Sequence, residues 1–363
     1  MPTPAEADEI REPFRRWLAA RWPDAEDLEL GEFSGAATGY SAQTLIVPVR
    51  FRRTEDRQAC ERRVVVRIEN LGPPVYPAQT PDLDVEIDIQ YRAMRGVASV
   101  SKLPIAGLIA YEGDARILGA PFFVMEYVDG ETPLVDPPYT QEGFFVDAQP
   151  SDRRRMIEGG LRLLTEVHAV DWREAGLAWL IAPGTTPGTV AQLDIWERYL
   201  REHLGDRVNP TADASLRWLR ANVPPGLEPG LSWGDARPGN LIWRDFEPVC
   251  ITDWENVAIA PPEMDIGWWL MFDRTCHEYG FAVVPRLEGE PSIDEQRTLY
   301  ASLTGRDPEV IRYFELFAAV RYVAIITRMM NLYVERGVMP ADQTLWLNNP
   351  PCEIAKALLA ELS

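Results

Sequence analysis

LSWGDARPGNLIW, residues 231–243, sets a Gly-Asp pair, an Arg-Pro and a Gly-Asn between two short apolar runs. Gly, Pro, Asn and Asp each favour turns for separate backbone reasons, so turn chemistry alone explains most of the stretch. The residues beyond it are more telling. After Asn240, LIW reads as a short strand, RDFEP as a turn and VCITDW as a second strand. An antiparallel hairpin puts the start of its first strand beside the end of its second, so Asn240 and Asp253 are expected side by side at its open end. Asp235 lies in the loop that leads into the same end.

An amide oxygen beside a carboxylate suits Mg²⁺, which takes one or two carboxylates together with substrate phosphates. A loop Asp, an Asn five positions on and a strand-end Asp beyond a hairpin form an arrangement used for phosphoryl transfer. In it Asp235 accepts a hydroxyl proton, while Asn240 and Asp253 hold the metal. Arg237 adds a fixed cation where charge spreads over the transferring oxygens.

The bulk numbers are compatible with this. A chain of 363 residues with 46% hydrophobic and 25% charged residues has ample core for two domains or one large bilobal one. Its formal net charge of -20 repels nucleic acid and anionic membranes and favours a cationic small-molecule acceptor. Cys60, Cys250, Cys276 and Cys352 form no C-x-x-C pair and read as reduced thiols. The charged amphipathic N-terminus is not a signal peptide. FELFAAVRYVAIITRMMNLYV is interrupted by Arg321 and Arg328, too polar for a membrane span. A cytoplasmic protein is expected.

Along the chain the character changes once. LELGEFSGAATGYSAQTLIVPVRF reads as two strands around a Gly-containing turn, and RRVVVRIEN as a third, rich in β-branched residues. LDVEIDIQYRAMRGVA has helical spacing, and GLIAYEG and FFVMEYVDG read as two further strands. Beyond Asp129-Gly130 long helical patterns dominate, and the opening stretch is their β-rich island. The expectation is an α+β fold: a lobe over residues 1–128 with a mostly antiparallel sheet, and a larger helical lobe over 129–363.

D-A-R-P-G-N resembles the catalytic loop of the protein-kinase-like superfamily. WGDARPGN followed by ITDWE resembles the aminoglycoside phosphotransferase family within it, over roughly Leu30 to Trp269. The resemblance implies a bilobal fold, ATP or GTP in its place, Mg²⁺, and a small-molecule hydroxyl acceptor in the cleft between lobes. It assigns Asp235 as catalytic base, Arg237 as a phosphate contact, and Asn240 and Asp253 as metal ligands. Asp265 and His168 match family positions with structural roles. Trp233 stands where the family usually has a loop-supporting His.

The first lobe should then hold the nucleotide. TGYSAQT carries Gly39 and Ser41 where the family has its phosphate-covering turn. In VVVRIEN the period of two puts Val65 and Arg67 on one face. There the kinase pattern wants an apolar residue over adenine and a Lys on the phosphates; Arg67 replaces the Lys. The helix residue that positions it aligns with Gln90, and Glu86, four positions earlier, is the other candidate. By resemblance the backbones of Glu126 and Val128 reach the adenine edge, with Met125 behind it.

Other readings fare worse. Three dispersed His make zinc an unpromising reading, and the chain has no G-x-S-x-G elbow. Trp268 and Trp269 read as core aromatics that could also line an acceptor pocket. APPE at residues 260–263 superficially resembles a protein-kinase element. It comes too soon after Asp253 to leave room for an activation segment. Arg67, Gln90 and Trp233 suit a nucleotide-binding pseudokinase, against which the intact Asp235, Asn240 and Asp253 argue.

Overall fold

The computed structural model describes residues 4–35, 42–81, 83, 85–134 and 136–362. They form two compact units. The first comprises Met1–Pro74, Leu83–Arg95 and Ile105–Asp129; the second takes Gly130–Ser363 together with Val75–Asp82 and Gly96–Pro104.

The first unit carries helix α1 (Pro4–Ala19) and strands β1 (Ala25–Leu30), β2 (Ser34–Gly35), β3 (Ala42–Arg53) and β4 (Ala59–Glu69). The start of α2 (Glu86–Val100), β5 (Leu108–Glu112) and β6 (Phe122–Glu126) complete it. The strands run in the order β1-β3-β4-β6-β5, with β2 also on β3, and every pairing is antiparallel. The expected first strand is thus divided into β1 and β2. Alternation along β3 buries Leu45, Val47 and Val49, the signature of a half-buried strand. On β4 the run Val64, Val65 and Val66 is buried on both faces, so its continuous β-branched stretch marks an inner strand. The N-terminus of α2 is capped from a distance, because the Glu69 carboxylate accepts from the amides of Glu86 (3.2 Å) and Ile87 (2.9 Å). A carboxylate there meets both unpaired amides and the helix dipole.

The second unit is mainly helical: α3 (Phe144–Asp147), α4 (Pro150–His168), α5 (Thr189–Leu204) and α6 (Pro210–Ala221) precede a β-rich island. That island holds β7 (Gly230–Ser232), β8 (Leu241–Arg244), β9 (Glu247–Ile251) and β10 (Ala258–Ala260). Helices α7 (Glu263–Arg274), α8 (Ile293–Thr304), α9 (Pro308–Glu335) and α10 (Pro350–Leu362) come after it. Ser292 and Glu295 form a reciprocal capping box on α8, and Asp307 caps α9 ahead of its Pro308, both standard start signals. Helix α9 is apolar nearly all round, and its core-facing residues run from Ile311 to Leu332. Such a helix belongs inside a protein; it is the axis on which α5, α6, α7 and α10 pack. Among the described residues no helix is long and apolar enough to cross a membrane.

Candidate functional site

The loop after β7 is built around Gly234. Its φ is +95°, and a Cβ there would stand 1.9 Å from the Asn256 carbonyl oxygen. Only glycine meets both conditions. Beyond it Pro238–Asn240 make a short 3₁₀ turn, and β8 pairs with β9 as expected, Leu241 opposite Ile251. The tight turn of this hairpin places Asp245 and Phe246 at φ of 51° and 62°, the consecutive left-handed pair of a type I′ turn.

These elements bring Asp235 and Asn240 into direct contact. Asn240 Nδ2 donates to Oδ2 of Asp235 at 2.7 Å and to its carbonyl at 3.0 Å. Asp235 Oδ1 receives Trp268 Nε1 at 2.6 Å and Arg237 Nε at 3.2 Å. Asp235 and Asn240 are both buried, and short bonds to a carboxylate are the strong kind. Asp253 enters from the other strand, where the Thr252 amide and hydroxyl donate to the Asn240 carbonyl at 3.0 and 2.8 Å. Asp253 itself has φ 50°, a strained conformation that Asp tolerates better than most residues.

Donor chemistry suits a hard divalent cation here. The Asn240 amide nitrogen is committed to Asp235, so Oδ1 is the atom it leaves for a cation, and Asp253 follows the strand paired with β8. Oxygen-only donors of this kind are what Mg²⁺ takes.

Asp265 organises the loop from beneath. Buried on α7, it accepts from Ser232 Oγ (2.7 Å), the Trp233 amide (2.7 Å) and the Gly234 amide (2.9 Å). His168 Nε2 lies 3.0 Å from it, with Nδ1 2.7 Å from the Tyr300 hydroxyl. Burial pushes the Asp265 carboxyl up, but His168, Ser232 and Gly234 outweigh it and hold it below the usual carboxylate range. Trp233, in the place of the family His, also supports the loop: its Nε1 donates to the carbonyls of Thr252 (2.9 Å) and Asp253 (3.2 Å).

Sequence reasoning read Trp268 as core or acceptor-pocket lining, without its bond to Asp235, and missed the role of Arg321. The Arg321 guanidinium is buried between the rings of Trp196 (4.8 Å) and Trp268 (4.5 Å). Its Nη2 donates to the Gly234 carbonyl at 2.9 Å. Burial pushes its pKa down to about 10, against the opposing pull of Asp265, Asp235 and Tyr76. The same tryptophan thus holds the Asp235 carboxylate and stacks on the cation that grips the preceding residue. Arg237 lies 5.3 Å over the Phe272 ring.

In the first unit Arg67 Nη1 donates to Thr44 Oγ1 (3.0 Å) and Nη2 to Gln90 Oε1 (3.3 Å). Gln90 is therefore a partner of Arg67. Glu86 is raised to about 7, mainly by burial and then by Glu69, with Arg67 opposing. Val65 is buried opposite Met125 across β4 and β6. The Glu126 amide donates to the Gly107 carbonyl at 2.8 Å. That N–H is thus taken by Gly107, just ahead of β5. Val128 lies just past β6. Gly39 and Ser41 lie outside the described residues.

A second polar cluster, Asp273, His277 and Glu290, has ligand-type atoms within 4.8 Å of one another. Its atoms are already used. Arg286 pairs with both oxygens of Asp273, Gln296 donates to Asp273 at 2.7 Å, and the Leu287 amide donates to Glu290 at 3.0 Å. It is a structural tie for the segment before α8.

A model of the phosphotransferase enzyme family matches residues 45–299. The chain belongs to that family. The match spans the Asp235 loop, the hairpin to Asp253, and the strand carrying Arg67. Among solved structures, the phosphotransferase fold recurs in a Ralstonia eutropha protein named for the aminoglycoside phosphotransferases. It has a TM-score of 0.67 at 21% identity, over 96% of this chain and 98% of that one. It recurs in aminoglycoside phosphotransferase APH(4)-Ia with ADP and hygromycin B, at TM-score 0.54 and 11% identity, over 95% and 97% of the two chains. These likenesses establish the protein-kinase-like fold. Acyl-CoA dehydrogenase family member 11 of Gallus gallus is 24% identical over 61% of this chain and 28% of its own length. The Homo sapiens protein of that name is 22% identical over 65% and 30%. The chain thus spans under a third of the length of these curated relatives.

Proposed function

We propose that this phosphotransferase moves the γ-phosphoryl of ATP to a hydroxyl of a small molecule with Mg²⁺. The contact of Asp235 with Asn240 carries the reading, because it joins the expected base to an expected metal ligand in one hydrogen bond. Asp235 takes the acceptor proton as the acceptor oxygen bonds to the γ-phosphorus and the bond to ADP breaks. Trp268 and Asn240 keep the carboxylate aimed at that proton, and positioning is most of what phosphoryl transfer needs from a protein. Asn240 and Asp253 would hold Mg²⁺, which when bound supplies positive charge to the phosphate oxygens. Arg237 lies beside Asp235 and adds its own charge there. Arg67, held by Thr44 and Gln90, is assigned to the nucleotide phosphates.

Nucleotide complexes of family neighbours, with ADP and hygromycin B in one and ATP and streptomycin in another, support the nucleotide and the hydroxylated acceptor. No dehydrogenase activity is proposed from a match to under a third of the acyl-CoA dehydrogenase relatives. The test is a panel of hydroxylated metabolites and aminoglycosides, read by ATP consumption, beside a thermal-shift titration with ATP and Mg²⁺. The proposal expects a Mg²⁺-dependent shift and at least one consumed acceptor; a protein that shows neither is not this enzyme.

A further inference from the structure

A cavity of about 540 Å³ lies within the second unit, a size typical of small-molecule sites. One wall is the strap Pro77–Pro81, a piece of chain far from the helices in sequence but packed with them. The other walls are the Leu180–Ala182 stretch and one face of α5. The strap is fastened at two points. The Tyr199 hydroxyl donates to the Val75 carbonyl, and Gln192 Nε2 donates to Gln79 Oε1 at 2.8 Å.

The lining is mostly apolar, with Pro77, Pro81, Leu180, Ile181, Ala191 and Ile195 among its residues. Gln79, Thr80, Thr185 and Gln192 add polar groups to it. Gln192 is 3% exposed, and its Oε1 has no hydrogen-bond partner among the described residues. Turning both amides over exchanges oxygen for nitrogen but leaves Gln192 with an unmatched polar atom. A buried atom of that kind costs free energy until a ligand pairs with it. The charged lining residues, Asp194, Arg198 and Glu202, are exposed, and Asp194 is paired with Arg220 at 2.8 Å. The wall is therefore close to neutral although the chain carries -20. A polycation finds no matching cluster of carboxylates here, and the net charge of a protein speaks to its long-range field, not to one site.

The cavity is within reach of the Asp235 loop. Ile259 lines it and pairs with Leu231 across β7 and β10. Leu231 precedes Asp235 by four residues, at most about 13 Å of extended chain. Tyr76, at the head of the strap, is raised well above the usual tyrosine range by burial and then by the charges of Asp235 and Glu255.

We propose that this cavity takes the aliphatic body of the acceptor, an uncharged alcohol whose hydroxyl is presented to Asp235 and whose polar group meets Gln192. The proposal rests on the assignment of Asp235 as base and names the acceptor class for it.

The experiment is calorimetric titration of the full chain, without nucleotide, with α,ω-alkanediols from 1,4-butanediol to 1,8-octanediol, and then ATP consumption with Mg²⁺ on the same series. Affinity should rise roughly three- to fourfold per methylene, and ATP consumption should keep the same order. A191F, which fills the pocket, should flatten the series, and A191S should restore it. Streptomycin should not bind in the absence of nucleotide. Chain-length-independent affinity, an unchanged series in A191F, or tight streptomycin binding overturns the pocket. Chain-dependent binding with ATP consumption no higher than without the diol overturns the acceptor role. The binding arm contains no phosphoryl transfer, so failure of the pocket is read apart from failure of Asp235, which the D235N variant reports.

Discussion

The Trp268 indole nitrogen donates to Oδ1 of Asp235 across 2.6 Å, inside the protein and 33 residues away in sequence. A donor at that distance fixes one carboxylate oxygen and leaves the other to Asn240. The carboxylate therefore has one orientation, which a proton acceptor needs before its substrate arrives.

W268F keeps an aromatic, though smaller, side chain and removes this donor. Loss of a hydrogen bond to a buried carboxylate costs about 1–3 kcal/mol, so the turnover rate should fall roughly tenfold or more. The KM for ATP should stay within about twofold, because the indole is assigned to the base and not to the nucleotide. Steady-state kinetics on W268F and wild type check this. Equal turnover rates would detach Trp268 from the chemistry.

Glu86 offers a test in the first unit. Burial first, and Glu69 second, raise its carboxyl to about 7, against the pull of Arg67. A raised carboxyl keeps its proton longer in the folded chain than in the unfolded one. The stability it contributes is complete below the ordinary carboxylate range and is lost as pH rises through about 7. E86Q should melt with wild type near about pH 5 and roughly a few degrees above it near about pH 8. Thermal melts at the two pH values read the difference directly.

His277 carries a similar dependence in the second unit. Its Nδ1 faces the Val284 carbonyl at 2.9 Å and its Nε2 faces Glu290 at 2.7 Å. Burial pulls its pKa down, but the bond to Glu290, with Asp273 adding to it, raises it above the ordinary histidine value. A raised histidine stabilises fully below the unfolded value of about 6.5 and loses its contribution as pH rises through the folded one. H277Q should remove that slope from a plot of unfolding free energy against pH.

Much of this site could be read from the chain because its parts are close in sequence. Asp235, Asn240 and Asp253 sit in one loop and one hairpin, where strand periodicity alone predicts who meets whom. Trp268 and Arg321 reach the same loop from α7 and α9, 33 and 87 residues from their partners. Only tertiary packing brings them there, and an aromatic or a lone Arg on an apolar helix carries no local mark of such a role. The strap Val75–Pro81 was equally hidden, since it lies between β4 and α2 yet packs with the helical unit. Arg67 was expected on a phosphate-facing strand face with Gln90 or Glu86 beside it, and geometry shows Gln90 bonded to it and adds Thr44. Along the chain, the strands and helix of the first unit follow the expected succession, with one strand broken in two.

The role of Asp235 as base is tested most directly by Mg²⁺-ATP-dependent phosphoryl transfer by D235N beside wild type, on whichever hydroxylated acceptor the panel identifies. Asn fills the same space and still accepts from Trp268, but it cannot take the acceptor proton. The rate should be lower by roughly 10²–10⁴, with the thermal shift by nucleotide preserved. A D235N protein that transfers phosphate at the wild-type rate would remove Asp235 from the chemistry.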